Sequence, residues 1–277
     1  QRKCLKSHGL RRVAICTPTL YSDDKARLVQ QLSEIVGITE KLGNQTAEQL
    51  KDTLDMAIQA KKTAIIRQQI KDLKEYKEYN DIMEIFDDIK ANKLYDAPLM
   101  LEWNTWRAMT MLDGGEIKAN LKLDDRGQPM STAQGNMADI VCDYGEFWLS
   151  VEVTMQLGQK QYETEGESVT RHLAKLKKEM KKDAYCLFIA PKINESCIAY
   201  FYALHKMNIA FYGGQSVIVP LELDVFISML KQSYKADYVP NSKQIKEIFE
   251  YSSEQAKVAY DEREWYIKVK EKAQNWL

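Results

Sequence analysis

The stretch ADIVCDYGEFWLSVEVT, residues 138–154, constrains the fold more than any other part of the chain. Apolar and polar residues alternate on both sides of Asp143–Glu146, which is typical of two short strands joined by a tight turn. Gly145 supplies the positive φ that such a turn requires. A two-residue or a four-residue loop both place Cys142 opposite Phe147, so the sequence predicts an antiparallel hairpin in that register.

This register gives the hairpin one apolar face and one face with two carboxylates. It pairs Ile140 with Leu149 and Ala138 with Val151, and the apolar face contains Ile140, Cys142, Phe147, Leu149, Val151 and Val153. On the other face Asp139 lies opposite Ser150, and Glu152 is its diagonal neighbour at roughly 7–8 Å between Cα atoms. Carboxylates are disfavoured in strands and costly to bury. Either this face is exposed to water, or both acids hold one divalent cation such as magnesium, whose ligands lie at about 2.1 Å.

The composition of the chain excludes several classes of protein. The 277 residues carry 39 basic and 40 acidic side chains, so a generally positive surface is excluded. The sequence contains no run of 18 apolar residues and no signal or transit peptide, so neither membrane insertion nor secretion is expected. Five cysteines without a CxxC pair argue against a disulfide framework and favour the cytoplasm. Because the first residue is Gln1, a fragment or processed product stays open.

Positive charge is concentrated in two short segments. The segments 1–12 and 171–182 contain Arg2, Lys3, Lys6, Arg11 and Arg12, and Arg171, Lys175, Lys177, Lys178, Lys181 and Lys182. Such clusters are either solvated helix faces or contacts for phosphate groups.

The chain before the hairpin is predicted to be mostly helical. Residues 47–92 are almost free of Gly and Pro, with apolar residues at helical intervals, so we expect a long helix broken once or twice. A boundary is predicted near 94–98, where Asp96 can cap a new helix and Pro98 can occupy its first turn.

After this boundary the pattern becomes mixed α/β. Strands are predicted at 116–123, at both arms of the hairpin, at 185–191 and at 216–221, and helices at 98–112, 165–182, 195–207 and from there to Trp276. The helix at 98–112 reads as amphipathic. The order predicts a mixed sheet flanked by helices, with Tyr185–Pro191 in its centre.

Three further polar residues are candidates for the same site as the hairpin acids. Glu165 and His172 are seven residues apart, hence on one side of a helix, and Glu102 shares a helix side with Trp106. Taken singly, Glu102 can be a surface glutamate and His172 a histidine at the edge of the core. Together with Asp139 and Glu152 they match the needs of a magnesium site.

Four segments of this region resemble one enzyme family. The segments LEWNTWRA, ADIV, VEVT and ESVTRHLAKLK are similar to the cleavage portion of the AlwI-type type IIS restriction and nicking endonucleases, within the PD-(D/E)XK nuclease superfamily. The resemblance covers roughly residues 96–190. It implies a PD-(D/E)XK fold and makes Glu102, Asp139, Glu152, Glu165 and His172 the catalytic residues. Thr154 stands where the superfamily has a lysine, so the group that transfers the proton is left open.

The resemblance also implies a cofactor, DNA contacts and partners. Mg²⁺ would be held by Asp139, Glu152 and the carbonyl of Val153, with Glu165 and Glu102 either as ligands of a second metal ion or as groups that position water. DNA phosphates would be contacted by Arg171, Lys175 and Lys178. Residues 1–95 would be a helical linker and the tail of an upstream DNA-recognition region, and residues 96–277 the nuclease domain.

The expected function is magnesium-dependent hydrolysis of double-stranded DNA in a bacterial cytoplasm, with a second nuclease subunit as a partner that would complete a double-strand break. The alternative is a catalytically silent DNA-binding or assembly subunit of a restriction system, in which the carboxylates only cap loops.

Overall fold

The protein is described by a computed structural model that covers residues 47–112, 115–124, 126–236 and 240–277. The basic segment 1–12 lies outside the described residues. The chain divides into a small unit, Gln1–Arg67 with Asp125–Gly127, and a large unit, Gln68–Asp124 with Gln128–Leu277. In the small unit the described residues are the helical stretch 47–67 and residues 126–127. None of the described helices is both long and apolar enough to cross a membrane.

From Ala97 onward the described elements are a helix, five successive strands, two helices that alternate with two strands, and three final helices. The helices are α1 (Ala47–Lys74), α2 (Tyr79–Lys90), α3 (Ala97–Leu112), α4 (Gln159–Met180), α5 (Glu195–Lys206), α6 (Leu223–Lys235), α7 (Ser242–Val258) and α8 (Glu262–Gln274). The strands are β1 (Glu116–Ala119), β2 (Lys122–Leu123), β3 (Pro129–Ser131), β4 (Ile140–Asp143), β5 (Trp148–Val153), β6 (Ala184–Ala190) and β7 (Ile218–Glu222).

A five-stranded mixed sheet in the order β1-β4-β5-β6-β7 organises the large unit. Strands β1, β4 and β5 pair antiparallel, whereas β5, β6 and β7 pair parallel through the crossover helices α4 and α5. Helix α3 contacts β1 and β5, and α4 contacts β5 and β6. The predicted mixed sheet flanked by helices is therefore confirmed. The middle strand is β5, however, and β6, which was predicted for the centre, lies between β5 and β7.

Two predicted elements differ from the structure because the chain leaves the sheet after Ala119. The single strand predicted at 116–123 is divided into β1 and β2, and β2 pairs with β3 in a separate two-stranded sheet. The segment before the hairpin, for which no element was predicted, contains the short strand β3. The backbone N–H of Asn120 still donates to the carbonyl of Asp139 at 2.9 Å, in register with the β1–β4 pairs, and the chain turns away after this bond.

The helix predictions hold with changes at the ends. The long helix is broken once, between α1 and α2, where Tyr76 has a φ of +57°. Asp96 caps α3, since its Oδ1 accepts the N–H of Leu99 at 3.1 Å. Helix α3 is not amphipathic, because 14 of its 16 residues are buried among the elements that surround it. Helix α4 begins at Gln159, earlier than the predicted start at 165.

The hairpin has the predicted faces but a register that differs by two residues. Cys142 pairs with Leu149 instead of Phe147, and Val141 instead of Asp139 pairs with Ser150. Gly145 occupies the first position of a two-residue loop with a φ of +79°, a pattern typical of a type II′ turn. The sequence prediction placed Gly145 at the second position of the loop. Its observed place at the first position shifts the strand pairing by two residues, so each side chain stays on its predicted face.

Candidate active site

The observed register places Asp139 directly across from Glu152. The pair Ile140–Val151 is the last in the ladder, and Asp139 and Glu152 follow it on the opposite face. Oδ2 of Asp139 accepts the backbone N–H of Val153 at 2.8 Å, and the backbone of Asp139 hydrogen-bonds the Glu152 carboxylate. Residues directly across such a pair have Cβ atoms about 4.5–5.5 Å apart, closer than the predicted diagonal arrangement.

Both carboxylates are removed from water. Glu152 is 5% exposed and Asp139 is partly buried, so the face that carries them is not simply a wet face of the hairpin. Burial raises the pKa of Asp139 well above its ordinary value, and the charge of Glu152 adds to this effect. Burial, and then the charge of Glu165, raise the pKa of Glu152 in the same way. The site therefore favours groups that reduce its negative charge.

Glu102 reaches the same region from helix α3. It is 3% exposed, which excludes an ordinary surface glutamate. Its Oε1 accepts the backbone N–H of Ala133, in the loop 132–139, at 2.9 Å. Burial, and then the charge of Asp139, raise the pKa of Glu102 to about 8.

Glu165 is held by Thr154, the residue at the position for which the resemblance implied a lysine. Thr154 is buried, and its hydroxyl donates to Oε1 of Glu165 at 2.9 Å. The hydroxyl of Thr164 donates to the same oxygen at 3.3 Å. The N–H of Gln156 in turn donates to the Thr154 hydroxyl at 3.1 Å. Thr154 thus orients an acid where a lysine would supply a positive charge.

His172 joins the carboxylates from α4, two turns after Glu165. Its Nδ1 lies 2.9 Å from Oε1 of Glu152, and its Nε2 is buried with no hydrogen-bond partner in the described part of the chain. Burial, and then the charge of Arg171, lower the pKa of His172, so the imidazole is neutral at neutral pH. With an ionised Glu152 the proton between them belongs to Nδ1, which leaves a lone pair on Nε2. His172 lines a cleft of about 350 Å³.

The five predicted residues are brought within electrostatic reach of one another. Glu165 raises the pKa of both Asp139 and Glu152, and Glu102 raises that of Glu152. In the ranges that the structure covers, no three His, Cys, Asp or Glu side chains converge closely enough to hold a metal ion. The chemistry of the donors nevertheless fits magnesium, because the site offers buried carboxylate oxygens that raise one another's pKa. Val153 contributes its N–H to Asp139, and its carbonyl as a ligand stays a prediction.

The three predicted DNA-binding residues lie along α4 with different neighbours. Arg171 contacts Glu167 and Asn136, and Lys175 contacts the carbonyl of Asn136. Lys178 is directed elsewhere, since its ammonium donates to the carbonyl of Phe211 at 3.2 Å.

Sequence reasoning missed Gln161, which is fully buried between two loops. Its amide donates to the carbonyls of Gln156 and Lys192 at 2.8 and 2.9 Å, and its Oε1 accepts the N–H of Asn194 at 2.8 Å. Gln161 therefore fixes the segment between β5 and α4 that carries Thr154. The sequence feature that could have indicated Gln161 is its spacing of four residues from Glu165. In a helix that begins at 159 this spacing places Gln161 and Glu165 on the same side.

Comparison with solved structures identifies the class of protein. The chain is similar to the small subunit, R.BspD6I2, of the heterodimeric restriction endonuclease R.BspD6I, with a TM-score of 0.60 and 28% sequence identity. The match covers 69% of this chain and 98% of that subunit. The mixed sheet of this chain, flanked by helices, is thus similar to that of a restriction endonuclease subunit.

The family follows from a comparison with sequence families. The AlwI restriction endonuclease model matches residues 21–229, and the chain belongs to this family, as the motifs predicted. A search of curated proteins gave no match.

Proposed function

We propose that this chain is a magnesium-dependent endonuclease that hydrolyses DNA phosphodiester bonds. In this proposal it has a PD-(D/E)XK nuclease fold and is the cleavage portion of a type IIS or nicking restriction enzyme. The observation that carries the proposal is the pair Asp139 and Glu152, which lie buried and face to face within the region that matches the family. Two buried acids with raised pKa values are unfavourable unless the site binds a cation.

Hydrolysis requires the site to bind an anionic phosphodiester and to remove a proton from water. Asp139, Glu152, the Val153 carbonyl and Glu165 would hold the magnesium ion, with Glu102 beside them. When bound, the ion supplies charge neutralisation of the phosphate and a more acidic water. Glu152 fixes the ring of His172 through Nδ1, and Nε2 is then available to accept a proton from water.

The DNA partner and the protein partner are part of the same proposal. Arg171, Lys175 and Lys178 would contact phosphates of the duplex, and sequence reading would belong to an upstream recognition region. The similar subunit comes from a heterodimeric enzyme, which supports a second subunit as a partner of this chain.

The alternative is a catalytically silent subunit of a restriction system. It is favoured by one observation, namely that Thr154 occupies the lysine position and cannot carry a positive charge. In this alternative the buried acids bind backbone N–H groups only, as Glu102 does at Ala133.

Supercoiled plasmid distinguishes the two functions. We expect the wild-type chain to convert it to the nicked form with magnesium and not with EDTA. Glu152→Gln should lower the rate at least about 100-fold, because it removes a charge while keeping the shape of the side chain. The exposed Glu254→Gln is the matched control and should cut like the wild type. A wild-type chain that never nicks, or an active Glu152→Gln variant, would contradict the proposal.

A further inference from the structure

Asn136, in the loop between β3 and β4, gathers two basic side chains of helix α4. Its Oδ1 accepts a hydrogen bond from Nη1 of Arg171 at 2.7 Å, and its main-chain carbonyl accepts one from Nζ of Lys175 at 3.4 Å. The φ of Asn136 is +69°, a left-handed conformation that asparagine tolerates better than most residues. One exposed residue thus organises two cations that are one helical turn apart.

The guanidinium of Arg171 is fixed from two sides. Its Nε donates to Oε2 of Glu167 at 3.1 Å, one turn earlier on the helix, and its Nη1 donates to Asn136. Its Nη2 makes no hydrogen bond to the residues that the structure covers. A guanidinium held in its plane with free N–H groups is pre-organised for the oxygens of a phosphate.

The two cations lie beside the candidate catalytic residues. Lys175 and His172 both line the cleft of about 350 Å³, together with Met137 and Ala138 of the same loop. The charge of Arg171 also acts on the carboxylate of Glu152. Arg171 does not line the cleft itself, so a phosphate bound by Arg171 and Lys175 would lie beside the cleft, next to His172.

We infer that Asn136 is a positioning residue which holds Arg171 and Lys175 as a two-cation receptor for a DNA phosphate beside the cleft. This receptor supplies the positive charge that Thr154 cannot supply at its own position. The inference rests on the proposed function and extends it from the acids of the site to the loop 132–139.

Two substitutions at Asn136 test the receptor, each with a matched control. Asn136→Asp places a carboxylate against Arg171, which then pairs with the protein instead of phosphate. Asn136→Gly keeps the left-handed backbone and the carbonyl for Lys175 but removes the side-chain contact. Asn92 is also exposed and left-handed, with a φ of +52°, so Asn92→Asp and Asn92→Gly control for charge and backbone.

The primary readout is binding of a fluorescein-labelled duplex in EDTA at several salt concentrations. Asn136→Asp should weaken binding about 10-fold and reduce the slope of log affinity against log salt by about one, because one phosphate contact is lost. Asn136→Gly should weaken binding by about threefold, and both Asn92 variants should match the wild type. A purely structural role would instead lower the melting temperature and leave the salt slope unchanged.

Plasmid cleavage by the same variants separates this inference from the proposed function. Slower cleavage by Asn136→Asp, with the magnesium dependence unchanged, supports both. Wild-type-like binding and cleavage by the Asn136 variants overturn the receptor while leaving the nuclease intact. A changed salt slope in a chain that never cleaves supports the receptor and overturns the nuclease, and absence of DNA binding by the wild type overturns the receptor.

Discussion

Glu102 connects the stability of the protein to pH. Its folded-state pKa of about 8 lies above the ordinary value of 4.5, so its contribution to stability is present below pH 4.5 and is lost as the pH rises through 8. Glu102→Gln stays neutral at every pH. Relative to the wild type, we expect this variant to gain up to about 4 kcal/mol in free energy of unfolding between pH 5 and pH 9.

Urea unfolding in EDTA at both pH values measures this gain, with Glu254→Gln as the control. An equal difference between Glu102→Gln and wild type at pH 5 and pH 9 would contradict the assigned pKa.

Glu165 has two candidate roles that one substitution separates. Glu165→Gln keeps an oxygen that can accept the Thr154 hydroxyl, so it removes charge with little change in position. If Glu165 is a metal ligand, which we favour, the variant should need markedly more magnesium for half-maximal cleavage. High magnesium should then partly rescue its activity. If Glu165 instead orients water, the maximal rate of the variant should fall about 100-fold while the magnesium dependence stays unchanged.

Magnesium titration of the plasmid-nicking rate decides between these roles. If both the rate and the magnesium dependence are unchanged, Glu165 does not belong to the site, and the assignment of His172 on the same helix is weakened.

The acids and the histidine of the site could be proposed from sequence because spacing and motif types report them. Helical spacing connects Glu165 with His172, and strand alternation places Asp139 and Glu152 on one face. Asn136 could not be found from such patterns. Its contacts depend on a left-handed backbone in an irregular loop. One of them is made by its main-chain carbonyl, a group that every residue has and that no sequence pattern marks. Its partners Arg171 and Lys175 were predicted as contacts of DNA phosphates, but their hydrogen bonds to Asn136 were not.

Among the elements, the turn of the β4–β5 hairpin sets the geometry of the acids. Gly145 has a φ of +79°, and a Cβ added there would meet nothing within 4 Å. Gly145→Ala should therefore destabilise the protein by the backbone term alone, about 1–2 kcal/mol, and Gly145→Asn should cost less. Gly135→Ala, where the space is equally open and the φ is not positive, should leave stability nearly unchanged.

Chemical denaturation of the three variants tests this prediction. Equal losses for Gly145→Ala and Gly145→Asn would show that the left-handed conformation is not the cause.

Most helices and the five strands of the main sheet were predictable in type and order, whereas the hairpin register and the small β2–β3 sheet were not. Periodicity identifies β6 as a buried strand but does not report its neighbours, so its position beside the middle strand needed the structure. The hairpin register depends on which loop position Gly145 takes, and either choice satisfies the alternation. The division after Ala119 accompanies the pairing of β2 with β3 in a second sheet, and alternation along the chain does not report which strand is the partner.

At the scale of the whole molecule, a net charge of −1 leaves DNA binding to a few local cations. We expect the isolated chain to bind duplex DNA weakly, without sequence preference and with a steep dependence on salt. Contacts from Arg171 and Lys175 predict a slope of about −2 in log affinity against log salt. Anisotropy titrations with duplexes of unrelated sequence measure it, and a tight, sequence-selective footprint by this chain alone would show that it reads bases itself.

Helix α3 has a consequence for how this protein can change by mutation. A helix that is buried on 14 of its 16 residues offers almost no position where a side chain can be exchanged without meeting a neighbour. In a saturation mutagenesis library selected only for folded protein, few substitutions at residues 97–112 should therefore survive. This result should not depend on any selection for cleavage. Exposed loop positions such as Gly135 should tolerate most replacements under the same selection.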